Sequence, residues 1–243
     1  MNNEIVFIIT LLGTLASLFL AWYVLGKAAS RAFQQKLFPL FFIGGVLFLW
    51  FLAAFFLSKN NFFVAKSTKE IVFPKILFTF LPLLLGGAWL FFSKTAKKIR
   101  EHISQKHLIA IQFYRSLGIV FLFLWWTGKL PAIFAIPAGI GDVAVGLSAI
   151  FVARAYSKEN TKSIKRVFWW NLFGILDLVF AIFLGFLTSP GPFHFLAPAN
   201  PNFLITAYPL VLVPAFGVPL SLLLHFLSLQ KNRDEFRKDA KTR

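Results

Sequence analysis

No cysteine occurs among the 243 residues, which excludes disulfides, thiolate metal sites and a cysteine nucleophile. Acidic residues are scarce: 9 Asp and Glu stand against 25 Lys and Arg. Charged residues make up only 14% of the chain, against about 25% in a soluble domain. Glycine-rich phosphate loops, tandem carboxylate motifs and internal repeats are absent as well, so the chain carries no nucleotide-binding or paired-aspartate prenyl signature. What remains is apolar. The chain is 58% hydrophobic with 33 Phe, its mean hydropathy is +0.74, and its charges cluster between long uncharged runs. This pattern predicts an all-α, polytopic membrane protein forming one helical bundle over residues 1–243, with the lipid bilayer as its partner. The net charge of +16 would suit nucleic-acid binding in a soluble protein. Membrane topology accounts for it here, so no nucleic-acid partner is expected.

A hydrocarbon core about 30 Å thick needs roughly 20 helical residues to cross it. Seven segments qualify: Ile5–Gly26, Leu37–Ser58, Ile71–Ser93, Leu108–Thr127, Leu130–Ala153, Val167–Thr188 and Phe203–Leu227. The first is expected to be an uncleaved span, because Glu4 and no Lys or Arg precedes a long apolar run. Basic residues alternate strongly between the loops. Lys27, Arg31 and Lys36 follow the first span, and Lys94, Lys97, Lys98, Arg100 and Lys106 follow the third. Arg154, Lys158, Lys162, Lys165 and Arg166 follow the fifth, and the tail 228–243, expected to be a solvated helix end, mixes Lys231, Arg233, Arg237, Lys238, Lys241 and Arg243 with Asp234, Glu235 and Asp239. The other side holds Lys59, Lys66, Lys69 and Lys129, with Lys75 just inside the third span, where it can snorkel. The positive-inside rule then puts the N-terminus outside and the C-terminus in the cytoplasm. Trp22, Tyr23, Trp89, Trp125, Trp126, Trp169 and Trp170 fall near span ends, as a headgroup-depth aromatic belt requires.

Charge inside a span is the best pointer to a site, since an ionised residue at a helix centre costs about 2.5–3.5 kcal/mol on insertion scales. Three such residues occur: Arg115, Asp142 and Asp177. At 100° per residue Gln112, Arg115 and Ser116 share one face of the fourth span. In the fifth, Ala132, Ala135, Gly139, Asp142, Gly146, Ala149 and Ala153 form a narrow small-residue stripe that turns Asp142 toward protein. In the sixth, Asn171, Gly174, Asp177, Ala181 and Gly185 share one side. Counted from the span ends, the three charges differ in depth by roughly 6 Å or less, within reach of an arginine. Arg115 is expected to pair with one aspartate, leaving the other to a proton or to a donor among Gln112, Ser116, Asn171 and Tyr208. Pro209, Pro214, Pro219 and Gly217 predict a kinked or unwound seventh span, with His225 near its inner end. A haem held by His107 and His225 is not expected, because His107 falls at the interface and no second histidine pair exists at matching depth. No cofactor and no metal is expected. The proline-rich loop 190–202, which includes His194, is expected to be a tight ordered connection.

Arg115-Ser116-Leu117-Gly118, the stretch Pro137–Asp142, Asp177, and Pro209-Leu210 through Pro214, Pro219 and His225 together resemble a group of uncharacterised bacterial multi-pass membrane proteins. The resemblance covers about Gln112 to Leu229 and implies a bacterial inner-membrane location without a known activity. The residues themselves favour a small-molecule or proton-linked transporter or sensor, with a site built from Arg115, Asp142, Asp177, Gln112, Asn171, Tyr208 and His225. The alternatives are an enzyme acting on a lipid or prenyl substrate, with Arg115 on a phosphate, and a structural or assembly subunit.

Overall fold

The structure is a computed structural model that describes residues 3–64, 75–197 and 199–242, with no side chain described beyond Arg237. Lys66, Lys69, Arg243 and the start of the third expected span (71–74) lie outside the described residues, as do the side chains of Lys238 and Lys241. Among the described residues every regular element is helical, and seven helical segments are long and apolar enough to cross a membrane.

Helix α1 (Asn3–Ala32) carries Glu4 in its first turn and Arg31 in its last, the charge order that the helix dipole favours. It ends where Gln34 and Gln35 take φ of 58° and 61°. Helix α2 (Phe38–Lys59) begins with Pro39 in its first turn, where the missing N–H costs nothing. Helix α3 runs from Lys75 to Phe92, entering as a 3₁₀ segment (Lys75–Phe80) and becoming α at Leu81–Phe92. A short helix α4 (Lys94–His102) follows, capped by Ser93 Oγ, which accepts from the Ala96 N–H at 3.3 Å. It occupies a stretch expected to be a loop. It forms because one face buries Ala96, Ile99 and Arg100 while Lys97 and Lys98 stay exposed.

Helix α5 (Gln105–Trp126) is α at Gln105–Ala110, 3₁₀ at Ile111–Gly118 and α again at Ile119–Trp126. A turn through Gly128, at φ 71°, leads into α6 (Ala132–Arg154), which holds Pro137 within it. Helix α7 (Thr161–Thr188) is capped by Asn160 Oδ1, accepting from the N–H groups of Lys162 and Ser163. The loop after α7 folds back on its own helix: Phe195 and Leu196 donate to the Leu187 carbonyl, and Asn202 to that of Thr188.

The last span is interrupted, as its prolines predict, but over a longer stretch than expected. Residues 203–212 hold a short 3₁₀ segment (Leu204–Thr206) and turns rather than a continuous α-helix, a π turn occupies Val213–Gly217, and α8 proper runs Val218–Thr242. Pro209 and Pro214 withhold backbone N–H groups five residues apart, so no regular helix can set in before them. At the other end α8 continues through the segment expected as a tail, because its polar side chains find partners. Arg100 donates from Nε to Asp234 at 2.8 Å and from Nη1 to Gln230 at 2.5 Å, and Tyr156 donates to Glu235. Burial, followed by the hydrogen bond and charge of Glu235, pushes the Tyr156 hydroxyl up, so it keeps its proton and remains a donor.

Helix α8 and the π turn hold the bundle together. Phe216 is fully buried between Trp50 and Phe51 of α2, with ring centroids 4.7 and 5.7 Å away. Leu220, Leu224 and Leu227 continue the same apolar cluster against α1 and α4. A second cluster joins the far halves of α5 and α6 to Leu184 and Ile205, and a third joins Val145 and Ala149 to Val167 and Trp170. The small-residue stripe of α6 faces α5. A Cβ on Gly146 would strike the Ser116 backbone, and one on Gly139 would lie 2.6 Å from Leu122 Cγ.

Candidate functional site

Arg115 sits in the 3₁₀ segment of α5, where residues i and i+3 eclipse. Gln112, Arg115 and Gly118 therefore form one buried row, and Ser116 turns partly away. An α-helical period had placed Ser116 beside Arg115. The three-residue period puts Gly118 there instead.

The guanidinium lies 3% exposed between α6, α7 and α8. Nε donates to Asp142 Oδ1 at 2.8 Å, and Nη2 donates to Asp177 Oδ2. Nη1 faces His225 Nε2 at 3.1 Å and the Gly174 carbonyl at 3.4 Å. One arginine thus holds both aspartates, one nitrogen each. This corrects the expectation that it would saturate a single carboxylate: the aspartates approach from different helices, so neither can occupy the whole edge of the guanidinium. Among the described residues the second oxygen of each carboxylate has no hydrogen-bond partner, and neither Gln112, Ser116 nor Asn171 reaches them.

The hydrogen-bond chain defines the histidine tautomer. A guanidinium only donates, so His225 Nε2 must accept. Asn171 spends its amide hydrogens on the Val167 carbonyl at 2.8 Å and on Ser228 Oγ at 2.9 Å, which turns its oxygen toward His225 Nδ1 at 2.9 Å. The imidazole is therefore neutral with its proton on Nδ1. Ser228 also accepts from Gln105 Nε2 at 2.8 Å, extending the chain one turn along α8. Two carboxylates, one guanidinium and a neutral ring leave the cluster one excess negative charge, or one proton.

Glycines make room for this arrangement. A Cβ on Gly118 would lie 2.7 Å from Asp142 Oδ2 and closer still to its Cβ. One on Gly141 would overlap the Asp177 carboxylate, and one on Gly174 would lie 2.5 Å from the His225 ring. Each is a close approach that only glycine permits.

A cavity of about 390 Å³ reaches from Lys75, Phe193 and neighbouring residues at one end of the bundle to Asp142 at mid-span. Its walls are mostly apolar, with Phe80, Phe121, Phe186 and Pro214 among them, and among the described residues Asp142 supplies the only carboxylate of its lining. Lys75 lies over the Phe62 ring, 5.0 Å from its centroid, at the opposite end of the cavity from Asp142.

The structure gathers Arg115, Asp142, Asp177, Asn171 and His225 into one network. Gln112 lies a turn away and donates to the Ser221 carbonyl at 3.2 Å, its Oε1 without a partner among the described residues. Tyr208 is held apart, its ring packed against Phe7 and Phe55 with centroids 5.9 and 5.8 Å away, because it belongs to the turns before the π segment. His107 is exposed, whereas His225 is buried with both ring nitrogens bonded to protein. Tyr114, which bonds Ser221, and Ser228 and Gln105 were missed as participants. One signal was available for part of this set: Ser221, His225, Ser228 and Asn232 recur at helical spacing as one polar stripe, and all four are buried.

The chain belongs to the family defined by a domain of unknown function, DUF8737, whose family model matches residues 71–231, more than half of its length. That stretch contains every residue of the Arg115 network. No curated protein and no solved structure matches the chain.

Proposed function

We propose that the chain is a bacterial inner-membrane protein, N-terminus outside and C-terminus cytoplasmic, that binds a small and largely apolar ligand bearing a cationic group, as a transporter or sensor. The orientation rests on the basic loops after the first, third and fifth spans. The ligand reading rests on one observation: the Asp142 carboxylate, part of a cluster with one excess negative charge, lies at the deep end of an apolar cavity of about 390 Å³. Such a site combines largely apolar walls with a few polar groups that fix orientation. The π turn and Pro214 form part of the same wall, and broken helices of this kind are the elements that rearrange around midplane sites.

Tetraphenylphosphonium is a suitable probe, being apolar and permanently cationic. Saturable binding to the purified protein, lost in Asp142→Asn while the variant stays folded, is the expected result. Equal binding by the two proteins overturns the reading. A structural clasp is the second reading, favoured by the engagement of every guanidinium nitrogen with protein. It predicts that Asp142→Asn fails to accumulate in the membrane.

A further inference from the structure

The cavity of about 390 Å³ carries charges of opposite sign at its two ends. Asp142 lies at its foot, and Lys75 belongs to the lining at its mouth, together with Phe63, Val64 and Phe193. Asp142 stands ten residues into α6 from Ala132, which puts it about 15 Å below the outer end of that helix. The wall contributed by α7 gives the same depth: it runs from Leu178 to Ser189, or about 16 Å. Between the two charges the lining is mostly apolar, with Phe80, Phe121 and Ala181 along it.

Each charge keeps capacity for a partner. Arg115 Nε donates to one oxygen of the Asp142 carboxylate, and the other oxygen has no hydrogen bond among the described residues. Lys75 is exposed and makes no ion pair among the described residues. Its ammonium rests over the Phe62 ring, 5.0 Å from the centroid. An exposed cation is held only weakly by such a ring, and a flexible four-carbon stem lets it turn to an oxyanion within reach. Snorkelling accounts for a lysine at the start of a span, but the place of Lys75 in the cavity lining also sets it against whatever the cavity holds.

We propose that the ligand is bipolar: an apolar body about 15 Å long, with an ammonium group for Asp142 at one end and an oxyanion for Lys75 at the other. This rests on the cationic ligand proposed above and adds the second charge that fixes its class and its length. Opposite charges at the two ends of one apolar cavity set orientation, since the reversed pose brings like charges together at both ends. They also select by length. An extended chain advances about 1.2 Å per bond, so roughly twelve bonds separate the two charged groups. A shorter ligand reaches Asp142 without reaching Lys75.

The test is titration calorimetry on the purified protein in nanodiscs with 12-aminododecanoate, dodecylamine and 6-aminohexanoate. Each probe is compared between variants, so its own partition into lipid cancels. The ratio of the affinities for 12-aminododecanoate and dodecylamine should fall about threefold to fivefold in Lys75→Gln, the worth of a half-exposed ion pair, and should be kept in Lys75→Arg. The short 6-aminohexanoate should bind without regard to Lys75, and Asp142→Asn should abolish saturable binding of all three. An unchanged ratio in Lys75→Gln, with both long probes still requiring Asp142, overturns the bipolar ligand and leaves the cationic one standing. An equal effect of Lys75→Gln on the short and the long amino acid also overturns it, because the lysine then acts at a distance and not by contact. If all three probes bind wild type and Asp142→Asn alike, the cationic-ligand reading itself fails, and the bipolar one with it.

Discussion

Replacing Arg115 by methionine should be the most damaging single change in this protein, and its rescue should require two more. The side chain is 2% exposed and directs its nitrogens to two carboxylates and a neutral imidazole. Methionine fills much of the same volume but strands Asp142, Asp177 and His225 Nε2 without their donor. Removing one partner of a buried ion pair costs about 3–5 kcal/mol, since the remaining charge is left uncompensated. In a chain of this length that corresponds to a Tm lower by roughly 10 °C. Asp142→Asn and Asp177→Asn added to Arg115→Met remove the stranded charges, and most of the loss should return. The assay is thermal unfolding in detergent or nanodiscs, with Trp170, whose ring centroid lies 5.2 Å from that of His225, as a local reporter. If the losses of the three single variants simply add in the triple variant, to within about 0.5 kcal/mol, the cluster is not one electrostatic unit and the reasoning fails.

Two further outcomes follow from the same geometry. Gly118→Ala places a methyl group onto Asp142 and should cost about 1–3 kcal/mol by overpacking, with loss of tetraphenylphosphonium binding, whereas Gly45→Ala, which meets nothing within 4 Å, should be neutral in both assays. A C-terminal green fluorescent protein fusion should be fluorescent and a C-terminal alkaline phosphatase fusion inactive, as a cytoplasmic C-terminus requires; an active phosphatase fusion would reverse the orientation.

The seven spans and the meeting of Arg115 with Asp142 and Asp177 were legible because both follow from simple quantities. Span length is a matter of apolar run length, and the shared depth of the three charges is a matter of counting residues at a fixed rise. What escaped was local winding. The 3₁₀ segment Ile111–Gly118 changes the angle per residue, so Ser116 was placed in the row that Gly118 occupies. The prolines of the seventh span announced a kink or local unwinding, and the π turn at Val213–Gly217 meets that expectation; what apolarity hid is that the interruption reaches back over 203–212. The tail of α8 was read as solvated because its residues are charged. Its partners, Arg100 and Tyr156, come from α4 and the turn after α6, and such long-range pairs leave no trace in local composition. Tyr208 was included on residue type and approximate depth alone, which say nothing of the direction a side chain takes.

The central claim of the proposed function is that the Asp142 carboxylate lies at the foot of a cavity that, in the proposed orientation, opens on the outer side. The cysteine-free chain allows a direct measurement. Ala138 lines the cavity beside Asp142, and Phe193 lies at its mouth, 48% exposed. In intact cells, Ala138→Cys should react with membrane-impermeant methanethiosulfonates, faster with the cationic reagent than with the anionic one, and Asp142→Asn should erase that preference. If Phe193→Cys reacts while Ala138→Cys does not, or if Ala138→Cys reacts without regard to reagent charge, the account is contradicted.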